Sequence, residues 1–346
     1  MKAVLFSFTR QASLLSLTVQ QSFLEEGISC TNYTIKKYAA VPNLLPLPAP
    51  LKEVVAEHFQ KDTVLIFISA CGIAVRSIAP FLKDKTKDPC VLVIDEKGQF
   101  VISLLSGHLG GGNLQAEKAA SAIGATPVIS TATDLNNRFS VDIFAKNNHL
   151  AISDRKIAKH ISANILDGLP IGMDGILPDG NIPEGLTGTR NSVPPIGFSV
   201  SPFYQNKPFK ETLFLIPKQI VLGIGCKKNT DIQALREFVN EILEEHSIFP
   251  EAIAAIASID LKKEEPALLA LSKELSVPFA TYDARTLQKV KGQFTSSEFV
   301  RKTTGVDNVC ERAALCYSHA DSLYLRKTAR NGMTIAISLL SFACHF

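Results

Sequence analysis

The chain has 346 residues, 46% of them hydrophobic and 20% charged, with a formal net charge of +3. That is ordinary globular usage, long enough for two or three cores, and it excludes a disordered tail or a fibrous repeat. The small positive charge, with no basic stripe and no aromatic-basic interleaving, argues against nucleic acid and leaves small anionic ligands open.

The opening apolar run stops at Arg10 without a cleavage pattern and reads as a first strand, Ala3–Phe8, and not as an export leader. Further strands are expected at Val64–Ala70, Val91–Ile94, Val101–Leu104 and Pro127–Thr131, alternating with helices at Leu51–Phe59, Ile73–Leu82 and Asn113–Ile123. The tight link Asp95–Gln99 reads as a hairpin turn, so the sheet is expected to be mixed. From Phe139 to about Lys218 the pattern weakens into helical pieces at Asp142–Asn147 and Asp154–Leu166 and a stretch crowded with Gly and Pro, read as a small, partly irregular bridging domain. A second α/β unit opens with the strand Gln219–Cys226 and the helix Ile232–Leu243, which Asn229 or Thr230 is expected to cap. Strands at Ile253–Ile259, Ser322–Leu325 and Met333–Leu339 and helices at Pro266–Leu275, Ser296–Thr303 and Val309–Tyr317 follow. The expected fold class is α/β: two α/β domains with mixed or mostly parallel sheets, 1–138 and 219–346, joined by a small middle domain, 139–218. Seven scattered cysteines without a CxxC pair point to no disulfide framework, no structural zinc and a reducing cytoplasm. No apolar stretch reaches the roughly 18 residues that cross a bilayer.

Four stretches carry chemistry-bearing residues. In Ser103–Asn113, SLLSGHLGGGN, a histidine lies between a strand and three glycines at a strand-to-helix turn. Gly110, Gly111 and Gly112 read as a backbone cradle for an anion and His108 as a general acid or base near neutral pH. The plainer reading is a tight turn with a locally bonded histidine. Ser69–Arg76, SACGIAVR, repeats that geometry one strand earlier and is expected to lie beside the first loop. Cys71 there reads as a small hydrophobe and not a nucleophile, while Arg76 is a carboxylate fork or a plain surface cation. Leu222–Thr230, LGIGCKKNT, lacks the third glycine of a dinucleotide fingerprint and any phosphate-loop GKS/T. Its Lys227 and Lys228 attract an anion or simply favour solubility. In Thr304–Leu315 the acidic Glu311 falls in a first helical turn, where dipole complementation is the usual role.

Taken together and in order, SACGIAVRSIAPFLKDK, VISLLSGHLGGGN, ATPVISTATD, FSVDIFAKNNHLAI, VLGIGCKKNT and GVDNVCERAAL resemble the cobalt-precorrin-5A hydrolase family of anaerobic cobalamin synthesis, over the whole chain. Gly112 stands where that family often has alanine, Lys227-Lys228-Asn229 replaces an arginine-rich, glycine-ended version, and Tyr324–Lys327 replaces a more apolar, proline-containing stretch. The resemblance implies hydrolysis of the ring A δ-lactone of cobalt-precorrin-5A with loss of C20 and its attached methyl group as acetaldehyde, giving cobalt-precorrin-5B. The cobalt arrives inside the substrate, and no further cofactor or protein-held metal is implied. The resemblance marks the motifs as functional without assigning roles; residue chemistry makes His108 the leading candidate for the general base and Glu311 the second titratable group, and an active site in a cleft between the two α/β units would bring them together. Cys71, Gly72, Arg76, Gly107, Gly110, Gly111, Gly112, Asn113, Thr131, Arg138, Gly223, Gly225, Cys226, Lys227 and Lys228 become candidate contacts for the corrinoid and its carboxylates. A homodimer and transient contacts with pathway methyltransferases stay open. The competing class is a non-catalytic corrinoid carrier, which would bind the lactone without releasing acetaldehyde.

Overall fold

Runs of aliphatic and β-branched residues form the strands of a computed structural model that describes residues 1–84, 87–107, 110–131, 138–188 and 193–346. The chain divides into two units, Met1–Ile143 and Phe144–Phe346.

The first unit runs β1 (Lys2–Ser7), α1 (Arg10–Glu25), β2 (Ser29–Thr34), β3 (Leu45–Pro46), α2 (Leu51–His58), β4 (Thr63–Ile68), α3 (Cys71–Ile78), β5 (Cys90–Ile94), β6 (Phe100–Leu105), α4 (Gly112–Ile123) and β7 (Thr126–Val128). Its sheet has the order β3-β2-β1-β4-β5-β6-β7. Every residue of β4 and β5 is buried, because α1 and α4 cover one face of the sheet and α2 and α3 the other, which is why those strands read as unbroken apolar runs. The expected mixed sheet is found: β1 to β5 are parallel, and β6 returns antiparallel to β5 through the Asp95–Gln99 hairpin.

That hairpin overturns one expectation. Since β6 runs against β4, its carboxyl end stands at the amino end of β4. Leu105 pairs with Val91, whereas Ser69 donates to the Ile94 carbonyl at the other edge. The glycine turn after β6 and the SACG turn after β4 therefore lie at opposite edges of one sheet. The winding reverses between β1 and β4, so the crevice of a doubly wound sheet opens at the SACG edge, beyond Ser7 and Ile68.

The second unit holds two five-stranded sheets. In the first, ordered β10-β9-β11-β12-β8, β9 (Ile171–Gly175), β10 (Leu186–Gly188), β11 (Ile196–Val200) and β12 (Glu211–Ile216) are parallel and β8 (Ala151–Ile152) is antiparallel. This is far more regular than the weak pattern suggested. Gly172 and Gly197 sit in mid-strand because a Cβ at either would run into the ring of Phe209, so two glycines that look like breaks are a mould for one phenylalanine.

In the second sheet, ordered β15-β14-β13-β17-β16, β13 (Ile220–Gly225), β14 (Ile253–Ile259) and β15 (Phe279–Tyr282) are parallel. The hairpin of β16 (Leu323–Arg330) and β17 (Met333–Leu339) adds antiparallel strands beside β13. Its turn, Asn331-Gly332, has φ of 50° and 81°, as a two-residue hairpin of the I′ type requires. Helix α5 (Ile232–Glu245) is capped by Asp231, whose carboxylate accepts the Ala234 N–H at 2.8 Å. This corrects the Asn229-or-Thr230 expectation: Thr230 spends its hydroxyl on the Lys227 carbonyl. Helices α6 (Pro266–Leu275), α7 (Ala284–Lys289), α8 (Glu298–Thr304) and α9 (Cys310–Ser318) follow in this part of the unit, and the two helices expected earlier in the chain are found at Val141–Asn147 and Arg155–Leu166. Gly223 lets α9 approach β13, since a Cβ there would collide with the Cys310 carbonyl. Among the described residues no helix is long and apolar enough to cross a membrane.

Candidate functional site

In the second unit a cavity of about 620 Å³ opens at the carboxyl ends of β13 and β14. That is where parallel strands leave free amides and where a ligand-sized recess is expected. Its floor is apolar, with Ile259, Val300, Val309 and Met333. Its wall carries five cations, Lys227, Lys228, Lys262, Lys327 and Arg330, and its lining contains no aspartate or glutamate. Lys262 pairs with Glu265 at 2.9 Å, and Arg330 pairs with Glu241 and stacks over the Phe238 ring at 5.6 Å. Among the described residues the ammonium groups of Lys227, Lys228 and Lys327 have no carboxylate partner. The Lys227 chain lies against the Cα of Gly332 in the hairpin turn, in the space a side chain would fill. An apolar floor with uncompensated cations suits a ligand that is apolar in its middle and anionic at its rim.

Two thiols line the same cavity, and burial acts on both. Cys310 is pushed up to about 11 and Cys226 is raised as well, so both are protonated near neutral pH and neither is an activated nucleophile. Glu311 stands behind the wall and not in the lining. It is fully buried, and its two oxygens accept the Thr295 N–H at 2.7 Å, the Thr295 hydroxyl at 3.1 Å, the Asn308 amide at 2.7 Å and the Lys327 N–H at 2.8 Å. Asn308 and Lys327 are lining residues, so this carboxylate shapes the cavity from outside.

A cobalt-precorrin-5A hydrolase of Salmonella typhimurium (strain LT2) is 35% identical to this chain over 319 residues, covering 85% of the chain and 87% of the relative. The chain belongs to the cobalt-precorrin-5A hydrolase family. Family profiles described as "Cobalamin synthesis G N-terminal" and "Cobalamin synthesis G C-terminus" match residues 53–134 and 220–338. The cobalt-precorrin-5A hydrolase of Priestia megaterium is 29% identical, covering 87% of this chain and 84% of its own length. A solved structure described as a putative cobalamin biosynthesis protein G homolog from Sulfolobus solfataricus aligns with 98% of this chain and 97% of its own at 25% identity, with a TM-score of 0.42.

The carboxy-terminal profile of this hydrolase spans the whole cavity. Of the candidates from sequence, the structure gathers Gly225, Cys226, Lys227 and Lys228 there and places Gly223 beneath α9, outside the lining. Sequence reasoning did not single out Lys262, Lys327 or Arg330 as candidates, although Asn331-Gly332 is a hairpin signal that could have joined the last two to the site.

In the first unit Cys71, Gly72 and Arg76 are exposed at the crevice edge, with the Arg76 guanidinium curled back toward the helix start, 3.4 Å from where a Gly72 Cβ would stand. Gly107, Gly110, Gly111, Gly112, Asn113 and Thr131 gather at the opposite edge, and Asn113 Nδ2 donates to Thr131 Oγ1 at 3.2 Å. Packing explains these glycines without a ligand: a Cβ at Gly107 would meet the Asn113 carboxamide, one at Gly110 the Ser106 carbonyl, and one at Gly112 the Cys90 thiol at 3.1 Å. Gly111 has a φ of 81°. Arg138 is half-buried. His108 lies outside the described residues.

Proposed function

We propose that this hydrolase of cobalamin biosynthesis opens the ring A δ-lactone of cobalt-precorrin-5A and releases C20 together with its attached methyl group as acetaldehyde, and that the cavity of the second unit holds the carboxylate-bearing macrocycle. The observation that carries the second part is a lining with five cations and no aspartate or glutamate around an apolar floor, two of those cations being paired with carboxylates from behind it. Lys227, Lys228 and Lys327 bind side-chain carboxylates, and the floor takes the ring face. Water adds to the lactone carbonyl, the acyl C–O bond breaks, and the freed C20 hydroxyl becomes the carbonyl of acetaldehyde as its bond to the macrocycle breaks and the macrocycle takes up a proton. His108 is the proposed base for this proton traffic, because its ordinary pKa near neutrality suits both accepting and returning a proton. The burial and four donors of Glu311 favour a positioning role for it. The cytoplasm is the proposed compartment.

The test is acetaldehyde release from the lactone substrate. Lys227→Ala with Lys327→Ala should raise KM while leaving kcat comparatively intact. His108→Asn should lower the chemical step by roughly 10² to 10⁴, the range for losing a positioned base, while substrate still binds. A near-wild-type rate in the asparagine variant would remove His108 from the mechanism. Stoichiometric binding of the lactone without acetaldehyde would overturn the hydrolase reading.

A further inference from the structure

The two turns that wall the cavity, 226–230 after β13 and 260–262 after β14, are tied together by one side chain. Glu265 occupies the residue before α6 without capping that helix. Its carboxylate is 4% exposed and turns instead toward the cavity wall. Oε1 accepts the Thr230 N–H at 3.1 Å and Oε2 accepts Lys262 Nζ at 2.9 Å. Lys262, 17% exposed, lines the cavity. An ammonium has three protons in a fixed cone, and donating one to a buried carboxylate orients the other two. A lysine held in this way gives up little rotamer freedom when a ligand arrives, unlike the unpaired Lys227 and Lys228 on the exposed turn. Glu265 also keeps the turn that bears those two lysines against the end of β14.

We infer that Lys262 is a specificity-determining residue that binds a carboxylate of the substrate, and that Glu265 is the positioning residue that aims it and clamps the Lys227–Thr230 turn beside it. The inference rests on the hydrolase reading for the identity of the natural ligand and on the geometry for everything else. The Cys226 thiol, which faces the same cavity, senses both charges: Lys262 draws its pKa down and Glu265 pushes it up, against the larger upward push of burial.

The experiment titrates the full chain with a fluorescent tetrapyrrole octacarboxylate and with its octamethyl ester, and measures acetaldehyde kinetics on the lactone in parallel. Lys262→Met and Glu265→Gln should each weaken octacarboxylate binding about tenfold, the scale of one charge-assisted hydrogen bond. Ester binding should be unchanged, and KM should rise with kcat within about twofold of wild type. Glu265→Asp, which keeps the charge on a shorter arm, should recover part of the loss. Peptide-resolved alkylation of Cys226 should move to lower pH in Glu265→Gln and to higher pH in Lys262→Met, opposite shifts that loosened packing would not produce. Unchanged octacarboxylate affinity in a folded Lys262→Met protein, an equal loss for the ester, or failure of the wild type to bind the octacarboxylate would each overturn the inference. Lys262-dependent binding without any acetaldehyde would overturn the hydrolase reading and leave this one standing.

Discussion

At the scale of single residues, Glu311 and His58 are the groups whose burial has the sharpest consequences. Removing the Glu311 carboxylate leaves the N–H groups of Thr295 and Lys327 and the Asn308 amide without their acceptor inside the protein. Glu311→Ala should therefore cost about 3–5 kcal/mol and Glu311→Gln about 1–3 kcal/mol, by the penalty for buried unmatched donors; a denaturant titration reads both. If Glu311 instead moves a proton, the glutamine variant will lose turnover while keeping its stability. His58 has both ring nitrogens buried without a hydrogen bond, with the Tyr33 ring 6.0 Å away. Burial and the Lys2 ammonium push its pKa below the ordinary value, and Glu57 pulls weakly the other way. The unfolded chain then binds the proton more readily than the folded one, so this contribution to stability is complete above about pH 6.5 and is lost as the pH falls below it. Thermal unfolding between pH 7.5 and 5.5 should show a steeper loss in wild type than in His58→Phe; parallel curves would mean that His58 finds a partner when protonated.

At the scale of elements, glycine does opposite jobs in strands that look alike. In β13, Gly223→Ala should force α9 away from the sheet and destabilise the protein by about 1–3 kcal/mol, the range for overpacking a tight contact. Gly225→Ala, whose added carbon would meet only the Thr334 hydroxyl, should cost less; denaturant midpoints rank the two. Long apolar runs such as TVLIFI and IAAIASI, the amphipathic stretch at 232–243 and the Asp95–Gln99 hairpin were all legible, because burial on one or both faces leaves a period in the sequence. Helix α1 was not legible. Its buried face carries Ser13 and Ser16, bonded to Thr34 and Asn32 at 2.7 and 2.9 Å, so a polar seam hides its apolar stripe. β9 and β11 were lost because their glycines make room for a ring that arrives from Phe209. The candidate site was half legible: GIGCKK marks one wall, while the rest depends on which loops the sheet order brings beside it, and no local pattern encodes that.

At the scale of the whole molecule, charge is the quantity to perturb first. Among the described residues three ammonium groups without a carboxylate partner surround one apolar recess, so the attraction for a polycarboxylate should be screened by salt. Raising ionic strength roughly tenfold from a low-salt buffer should increase KM for the lactone with little change in kcat; a salt-independent KM would show that the ring face, and not its rim, dominates binding. The β5–β6 reversal has a different kind of consequence. It sets the turns at Cys71 and Gly111 at the two ends of strands about 20 Å long, with no side chain common to both. Perturbations at the two turns should therefore be thermodynamically independent. The folding free energy lost in an Arg76→Ala, Asn113→Ala double variant should equal the sum of the two single losses within about 0.5 kcal/mol, and any larger discrepancy would reveal that β4 and β5 transmit strain from one turn to the other along their length.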